Sequence, residues 1–282
     1  MASAWLTASS VRAAETPDDG DKTLPCRPTI ACTADFVPPG TLEVESGALF
    51  RSLGAPGAGA NASATATRQW TFPFLVKLTL VPWLQLQVGS NGFSAATGAE
   101  PESYFDNATL TAKFHVVDQA RWMPSISFSG EASLPTFRGE GYTRTYDAFF
   151  VAYVTKDLGP VHADLNVGWN LWNLDAAPAS QGLVALALSV NLPPAFGVVG
   201  EAYCFSNAPP VAPRDGGLLF AFTHSPRNWL IFDVGGDIGW FPSSRAYSLF
   251  IGMSVIPAVL WQGATGDNAP HDRSLPPYDA IR

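Results

Sequence analysis

The residues best suited to catalysis in this 282-residue chain are its four histidines. His115 falls on the polar face of a predicted strand, beside a second strand, PSISFSGEASLP, that carries serines along one face. A hydrolase needs a nucleophile, a base and an orienting group in contact, and this pattern allows a contact between His115 and a serine. No Gly-x-Ser-x-Gly elbow accompanies it. We therefore predict that the chain is not an enzyme and that His115 lines a polar interior.

The triplet HAD places His162 and Asp164 on the same face of another predicted strand, where their side chains approach the same space. A catalytic zinc site usually has three protein ligands, and a structural zinc site has four. Because two ligands are too few, the sequence predicts no metal site and no bound cofactor.

Polar and charged side chains recur on one face of the predicted strands, since side chains alternate between the two faces of a strand. Two interpretations fit them. They could form a network of hydrogen bonds and ion pairs that stiffens an interior, or carboxylates that give an aqueous pore a mild preference for cations. The residues predicted to line this interior are Lys113, His115, Glu131, Asp164, Asn166, Glu201, Asp233 and Asp237.

Cys26 and Cys32 lie close together in the proline-containing stretch PCRPTIAC, which precedes the predicted strands. Their spacing suits a small disulfide-closed loop formed in an oxidising compartment, and we expect a disulfide between them. No histidine or further cysteine lies nearby in the sequence to complete a metal site. Cys204 falls inside a strand pattern and is predicted to be a packed thiol without chemistry.

The elements that must position these residues are β-strands. In PSISFSGEASLP, Ser125, Ser127 and Ser129 share one face, whereas Ile126 and Phe128 share the other. Most predicted strands are about ten to thirteen residues long, against roughly five or six in globular proteins, and long enough for a tilted strand to cross a bilayer. The twelve predicted strands cover about 41–52, 65–78, 83–91, 104–118, 123–135, 144–157, 160–171, 182–192, 196–206, 216–225, 229–240 and 245–256.

The connections between these strands alternate in length. Those after even-numbered strands are tight, such as LGP, whereas most of the others are long and rich in Gly, Ala, Pro and Asn, such as GAPGAGANAS. Outer-membrane barrels have short periplasmic turns and longer outer loops. The pattern predicts an all-β fold, a single antiparallel up-and-down transmembrane β-barrel of about 12 strands. Its polar faces point inward and its apolar faces contact outer-membrane lipid.

The composition fits a protein with an apolar exterior. Charged residues make up 14% of the chain, against roughly 25% in soluble globular proteins. No stretch reaches the roughly 18–20 apolar residues of a membrane-spanning helix, so strands would have to cross the membrane. The net charge of −8 argues against nucleic acid as a partner, because nucleic-acid binding relies on a basic surface.

The order of several motifs resembles a known family. The motifs are LEVESGALF, FPFLVKLTLVPWLQLQV, DNATLTAKFHVVDQARWMPSISFSGEASLPTF, KDLGPVHADLNVGW, VVGEAYCF and WLIFDVGGDIGWFP. They resemble the outer-membrane transporter family named for the meta-pathway of phenol degradation, with Lys113 in a lysine-centred strand and Leu134-Pro135-Thr136 ending the next. The resemblance covers about residues 40–256. It implies an outer-membrane β-barrel that passes small, often aromatic or hydrophobic compounds.

These observations divide the chain into three parts. Residues 1–40 are a leader, predicted to hold a signal-peptide remnant followed by a periplasmic segment or a plug. Residues 41–256 form the barrel, and residues 257–282 form a C-terminal tail. Roughly eight strands fill their own interior, whereas 16–18 leave an open channel. Twelve strands fall between these cases, so we expect a narrow or partly plugged lumen.

The expected location is the bacterial outer membrane. The expected function is a channel or transporter for the passive passage of small molecules, hydrophobic or aromatic ones included. Two alternatives stay open: a structural or surface-interaction barrel with a closed lumen, and a soluble secreted β-protein.

Overall fold

The structure is a computed structural model that describes residues 22–53, 67–98, 101–136, 146–172, 178–209, 212–241 and 247–261. In this part of the chain no helix is long and apolar enough to cross a membrane. The strands in it are Thr41–Leu53 (β1), Thr67–Val81 (β2), Leu84–Thr97 (β3), Glu102–Phe105 (β4), Ala108–Val117 (β5), Ser125–Leu134 (β6), Ala148–Leu158 (β7), Val161–Trp172 (β8), Ala179–Leu192 (β9), Phe196–Phe205 (β10), Asp215–Arg227 (β11), Leu230–Gly239 (β12) and Tyr247–Val259 (β13).

The strands form one closed antiparallel barrel. The ring closes because β1, the first strand, pairs on one side with β2 and on the other side with β13, the last strand described. β4 and β5 both pair with β3, β4 along Phe93–Ala96 and β5 along Leu84–Ser90. They share one position in the ring, so thirteen strands make a barrel of twelve positions. The predicted fold class is confirmed.

One predicted strand is wrong in detail, because residues 104–118 form two strands, β4 and β5. The interruption lies opposite a β-bulge in β3, where Phe72 of β2 pairs with both Gly92 and Phe93. Gly92 has a φ of 66°, which a glycine adopts without steric cost. Its carbonyl accepts a hydrogen bond from the Asp106 amide (2.9 Å), which lies between β4 and β5.

The last strand, β13, continues three residues past the predicted barrel boundary at residue 256, to Val259. Pro257 lies in this extension and has no amide to donate to a strand ladder. In the structure this proline lies at a register shift, where the pairs Leu42–Ala258 and Val44–Val255 leave one extra residue in β13. A bulge is a position at which a strand tolerates proline. Residues 262–282 of the predicted tail lie outside the described residues.

Side chains alternate around the whole ring. Ser125 and Ser127 are buried inside the barrel, whereas Phe128 on the opposite face is 48% exposed, which confirms the predicted inward orientation of the serine face. Tryptophans lie near both ends of the barrel wall. Trp70, Trp169 and Trp240 are near one end and Trp83, Trp122 and Trp229 near the other.

The two ends of the barrel differ in their connections. Tight turns such as those at Val81–Leu84, Leu158–Val161 and Leu192–Phe196 share one end, which we call the turn end. β1 begins at this end, because Leu42 pairs with Leu78 near the close of β2. Longer connections share the other end, the loop end. The stretch GAPGAGANAS lies outside the described residues, as does the predicted signal-peptide remnant in residues 1–21.

Candidate functional site: a segment inside the barrel

Residues 22–40, which precede β1, lie inside the barrel, and we call them the lumen segment. The segment starts at the turn end, where the Thr23 amide donates to the turn between β11 and β12 (3.0 Å). Its middle reaches Glu201 halfway along β10. It then returns to the turn end, where the Gly40 amide donates to a β2 carbonyl (2.8 Å). Both ends of the lumen segment therefore lie at the same mouth of the barrel.

The lumen segment is cross-linked and packed within itself and against the wall. Cys26 and Cys32 form a disulfide that closes the residues between them into a loop. Ala31 and Ala34 are fully buried and pack against apolar side chains of the wall. Cys204, on β10, is a free thiol that is half-buried.

A buried group of three charged side chains holds the start of the lumen segment. Lys77 on β2 pairs with Glu43 (2.9 Å) and Glu45 (2.7 Å) on β1, and all three are at most 2% exposed. Glu43 accepts the Leu24 amide (3.1 Å), and Glu45 accepts the Cys26 amide and the amide after it, both at 3.0 Å. Burying a charge is costly unless it is paired and hydrogen-bonded, and here the lumen segment supplies part of that pairing.

Arg27 of the lumen segment pairs with Asp233 on β12. Its Nε and one Nη atom donate to the two carboxylate oxygens, at 3.3 and 3.2 Å. Gly47 on β1 and Gly252 on β13 leave the space for this side chain, because a Cβ at either position would overlap the guanidinium group. Two-pronged pairs of this kind fix geometry as well as charge.

Glu201 and Asn166 bind the middle of the lumen segment. The Glu201 carboxylate accepts the Ile30 amide (2.9 and 3.0 Å) and the Ala31 amide (2.6 Å). The Asn166 amide group, in the orientation that satisfies both of its atoms, accepts from the Cys32 amide (2.8 Å) and donates to the Cys32 carbonyl (2.9 Å). Wall side chains thus replace the backbone partners that a strand or helix would provide.

Lys113 and Thr155 bind the half of the lumen segment that returns to the turn end. Lys113 on β5 donates to the Thr33 carbonyl (2.5 Å), and its ammonium group lies 4.2 Å from the centre of the Tyr153 ring. Thr155 on β7 accepts the Ala34 amide through its hydroxyl (2.7 Å). A buried lysine gains from such aromatic and carbonyl partners.

His115 and Ser127 are in contact, as the sequence pattern allowed, with 3.1 Å between Nδ1 and Oγ. Nε2 of His115 lies 3.0 Å from Asp118, which completes the residue types of a hydrolase triad. However, the fully buried Ser127 hydroxyl donates to the Ala34 carbonyl (2.5 Å), which His115 also contacts at 3.2 Å. In this arrangement both side chains bind the lumen segment, and the serine oxygen is covered.

The remaining predicted residues contact the wall. Asp237 accepts the hydroxyl groups of Tyr203 and Ser248. Glu131 accepts the Thr111 hydroxyl at 2.8 Å. Their positions inside the barrel agree with the alternation of the strands.

The HAD triplet forms a small chain of ion pairs. His162 lies 3.2 Å from Asp164 and 2.7 Å from Asp157. Asp164 also accepts the Thr155 hydroxyl (2.5 Å), which connects this group to the lumen segment. Among the described residues no group of three or more His, Cys, Asp or Glu side chains could hold a metal ion.

Glu43, Glu45, Lys77 and Thr155 are binding residues that the sequence reasoning missed. A signal for the first three was present, because Glu43 and Glu45 share one face of LEVES and Lys77 interrupts the apolar run FPFLVKL. A charge on the inward face of a membrane strand needs a partner. Opposite charges on the inward faces of two neighbouring strands therefore predict an ion pair between them. Thr155 carries no comparable signal, since a threonine on a strand face is common.

No family model and no curated protein matches the chain. Among solved structures, an outer membrane channel from Pseudomonas putida F1 matches 79% of this chain and 97% of its own length, at 12% identity and a TM-score of 0.61. The translocator domain of the autotransporter NalP from Neisseria meningitidis matches 76% and 88%, at 11% identity and a TM-score of 0.48. At these identities the first likeness supports the barrel fold alone, and the predicted phenol meta-pathway family is not confirmed.

Proposed function

We propose that this protein is an outer-membrane channel for small molecules and that the lumen segment is its plug. The observation that carries the proposal is the polar binding of the segment. It is held by side chains from eight strands: β1, β2, β5, β6, β7, β8, β10 and β12. A barrel with a purely structural role can fill its lumen with apolar side chains of its own wall, which pack tightly and need no separate segment.

The polar wall makes an open state physically reasonable. When the lumen segment leaves, groups such as Lys77, Glu45, Glu201 and Asp233 lose partners but face a lumen that water can enter. Water then solvates their charges, so the cost of leaving charged groups without partners in a dry interior does not apply. An apolar lumen would instead expose its core to water on opening. The resting state of the proposed channel is closed, and passage requires the lumen segment to move.

The outer surface supports location in a membrane. Phe220 and Ile251, in the middle of β11 and β13, are 66% and 61% exposed and belong to a band of outward apolar side chains. A soluble protein rarely exposes a continuous apolar surface of this extent, which argues against the soluble secreted alternative. Tryptophans near both ends of the wall suit the two lipid–water interfaces. We take lipid to be the partner of this surface.

The proposed solutes are small molecules, hydrophobic or aromatic ones included, which pass without a cofactor or a chemical step. This class rests on the sequence resemblance and on the fold shared with an outer membrane channel. We propose that the turn end faces the periplasm, because short turns are periplasmic in outer-membrane barrels.

A cysteine lock tests the proposal. Thr33 of the lumen segment and Thr155 of the wall have hydroxyl oxygens 3.2 Å apart, so paired cysteines at these positions are close enough to bond. In planar bilayers the wild type should show channel openings, the oxidised Thr33→Cys/Thr155→Cys variant should stay closed, and reduction should restore the openings. The matched control is Thr71→Cys/Ser94→Cys, which links two wall positions 3.0 Å apart without touching the lumen segment.

The second candidate is a structural barrel whose lumen stays closed, and the filled lumen itself favours it. The same experiment separates the two. If the folded wild type and the reduced lock variant never conduct, the structural barrel replaces the channel. If the oxidised lock conducts like the control, the lumen segment is not the plug.

A further inference from the structure

The wall contains a pocket that encloses one guanidinium group, and we call it the guanidinium pocket. Arg27 of the lumen segment fills it, with two donors on the Asp233 carboxylate and the Ile251 carbonyl 3.4 Å from one of its Nη atoms. Gly47 on β1 and Gly252 on β13 border the group, and a Cβ on either glycine would overlap it. All of these binding groups belong to the wall, so the pocket does not depend on the lumen segment for its shape.

The guanidinium pocket suits a planar cation better than a point charge. Each oxygen of the Asp233 carboxylate accepts one hydrogen bond from Arg27, the two-pronged geometry that a guanidinium group offers to a carboxylate. An amidinium group has the same pair of parallel donors. The Asp233 side chain is 2% exposed, and a charge buried to this extent needs a partner that offers both charge and hydrogen bonds.

The wall around the guanidinium pocket is negatively charged once Arg27 leaves. In the described parts of β1, β2, β12 and β13, the inward charged residues are the acids Glu43, Glu45, Asp233 and Asp237 and the bases Lys77 and Arg51. β11 adds one residue of each sign near its ends, Asp215 and Arg227. Departure of Arg27 therefore raises the net negative charge of this part of the barrel from one to two. Such a lumen attracts cations.

The Arg27 side chain also borders open space. It is 17% exposed, and together with Ser248 and Phe250 it lines a cavity of about 120 Å³. Ser248 and Phe250 lie on the loop-end side of Gly252, because β13 runs antiparallel to β1 and so begins at the loop end. A solute that approaches from the loop end therefore meets the Arg27 guanidinium before the backbone of the lumen segment.

We propose that the guanidinium pocket binds small solutes that carry a guanidinium or amidinium group, and that Arg27 occupies it in their place in the closed barrel. The effect on opening rests on the proposed function, in which the lumen segment is the plug. A ligand shifts a two-state equilibrium towards the state that it binds better. Because the solute and Arg27 need the same carboxylate, a bound solute favours the state in which Arg27 has left.

Isothermal titration calorimetry on the full-length Arg27→Ala variant in detergent tests the pocket. The substitution removes a guanidinium group and two carbon atoms, which are the atoms of N-ethylguanidinium, so this probe should bind with one site per chain. N-ethylurea has a similar shape without the charge. It should bind at least tenfold more weakly, because hydrogen bonds to charged groups contribute roughly that factor or more. Equal affinities for the two probes would overturn the proposal.

Two further variants show whether binding is at Asp233. Addition of Asp233→Asn to Arg27→Ala should weaken the binding of N-ethylguanidinium at least tenfold, since the carboxylate charge is lost. Binding that Asp233→Asn leaves unchanged would contradict the pocket. The matched control is Arg68→Ala, which removes the same side chain from an exposed position of β2 and leaves Arg27 in place. It should bind N-ethylguanidinium no better than the wild type does.

Refolding covers the case in which Arg27→Ala does not fold alone. N-ethylguanidinium should then raise the yield of folded barrel, measured by circular dichroism, whereas N-ethylurea should not. Equal yields with the two probes would overturn the pocket as firmly as equal affinities.

Currents in planar bilayers test the competition with Arg27. At constant ionic strength N-ethylguanidinium should raise the open probability of the wild type severalfold and saturably, and N-ethylurea should leave it unchanged. A wild type that conducts without responding to N-ethylguanidinium would show that no solute replaces Arg27. A wild type that never conducts would overturn the proposed channel alone, because calorimetry or refolding of Arg27→Ala still decides whether the pocket binds the probe.

Discussion

The Arg27 side chain connects the lumen segment to the wall through a two-pronged ion pair with Asp233. The Asp233 side chain is 2% exposed and the Arg27 side chain 17% exposed, so water screens this pair only in part. Removal of one partner of a buried ion pair leaves the other without compensation, which is more costly than the loss of a surface pair. The space for Arg27 depends on two glycines, which gives a way to disturb the pair without removing a charge.

Gly252→Ala should loosen the lumen segment. The three atoms nearest to the added methyl group all belong to the Arg27 guanidinium, which has to move away from Asp233. Loss of charged hydrogen bonds costs about 1.5–3 kcal/mol each, so the open probability of single channels should rise by about tenfold or more. Gly130→Ala is the control, because its new methyl meets only the Phe150 ring at an ordinary 3.6 Å. Equal open probabilities in the two variants would show that Arg27 does not hold the segment.

The roles of the inward polar residues were only partly predictable. Alternation predicted which side chains point inward, and two roles were open for them, a stiffening network or ion preference. Five of the eight instead contact the lumen segment: Lys113, His115, Asn166, Glu201 and Asp233. The reason is that their partners are backbone groups of residues 30–34 and, for Asp233, the Arg27 side chain. The sequence of this stretch has no periodicity and so gives no sign of where it binds.

At the scale of elements, the strands were predictable and their irregularities were not. A strand that faces lipid on one side and a polar lumen on the other must alternate, and this signal is local. The bulge at Gly92 and the register shift at Pro257 depend on the strands alongside, which single-strand reasoning does not see. The lumen segment is the extreme case, since it forms neither strand nor helix and its contacts with the wall join residues that are distant in sequence.

The orientation of β6 predicts the effect of a charge on each face. Phe128→Arg places a charge in the lipid face near the middle of the strand, where it should cost roughly 2–4 kcal/mol of unfolding free energy. Thr109→Arg on the neighbouring β5 is the control, because Thr109 is on the inward face near the loop end and its replacement can reach water. Urea unfolding of the refolded barrels in lipid vesicles measures both. A larger loss for Thr109→Arg would reverse the assignment of the two faces.

At the scale of the whole molecule, one chain builds both the wall and the segment that fills it. Gly40 joins the two parts, and its carbonyl accepts the Leu260 amide (2.8 Å) from just beyond β13. Its φ of 88° favours glycine. The junction is therefore fixed both to β2 and to the chain just after β13, the two strands beside β1. The lumen segment can leave without any strand pair opening.

Because both ends of the lumen segment lie at one mouth, a mechanical load applied at Lys22 from that side would peel its contacts one after another. The same load applied from the opposite mouth would strain them in parallel, which requires more force. The loop between Cys26 and Cys32 would come out as one block, since the disulfide holds its ends 4.4 Å apart. In optical-trap measurements on a handle at Lys22, a reducing agent should lengthen the final extension by about 16 Å, the roughly 20 Å contour of six extended residues less that gap.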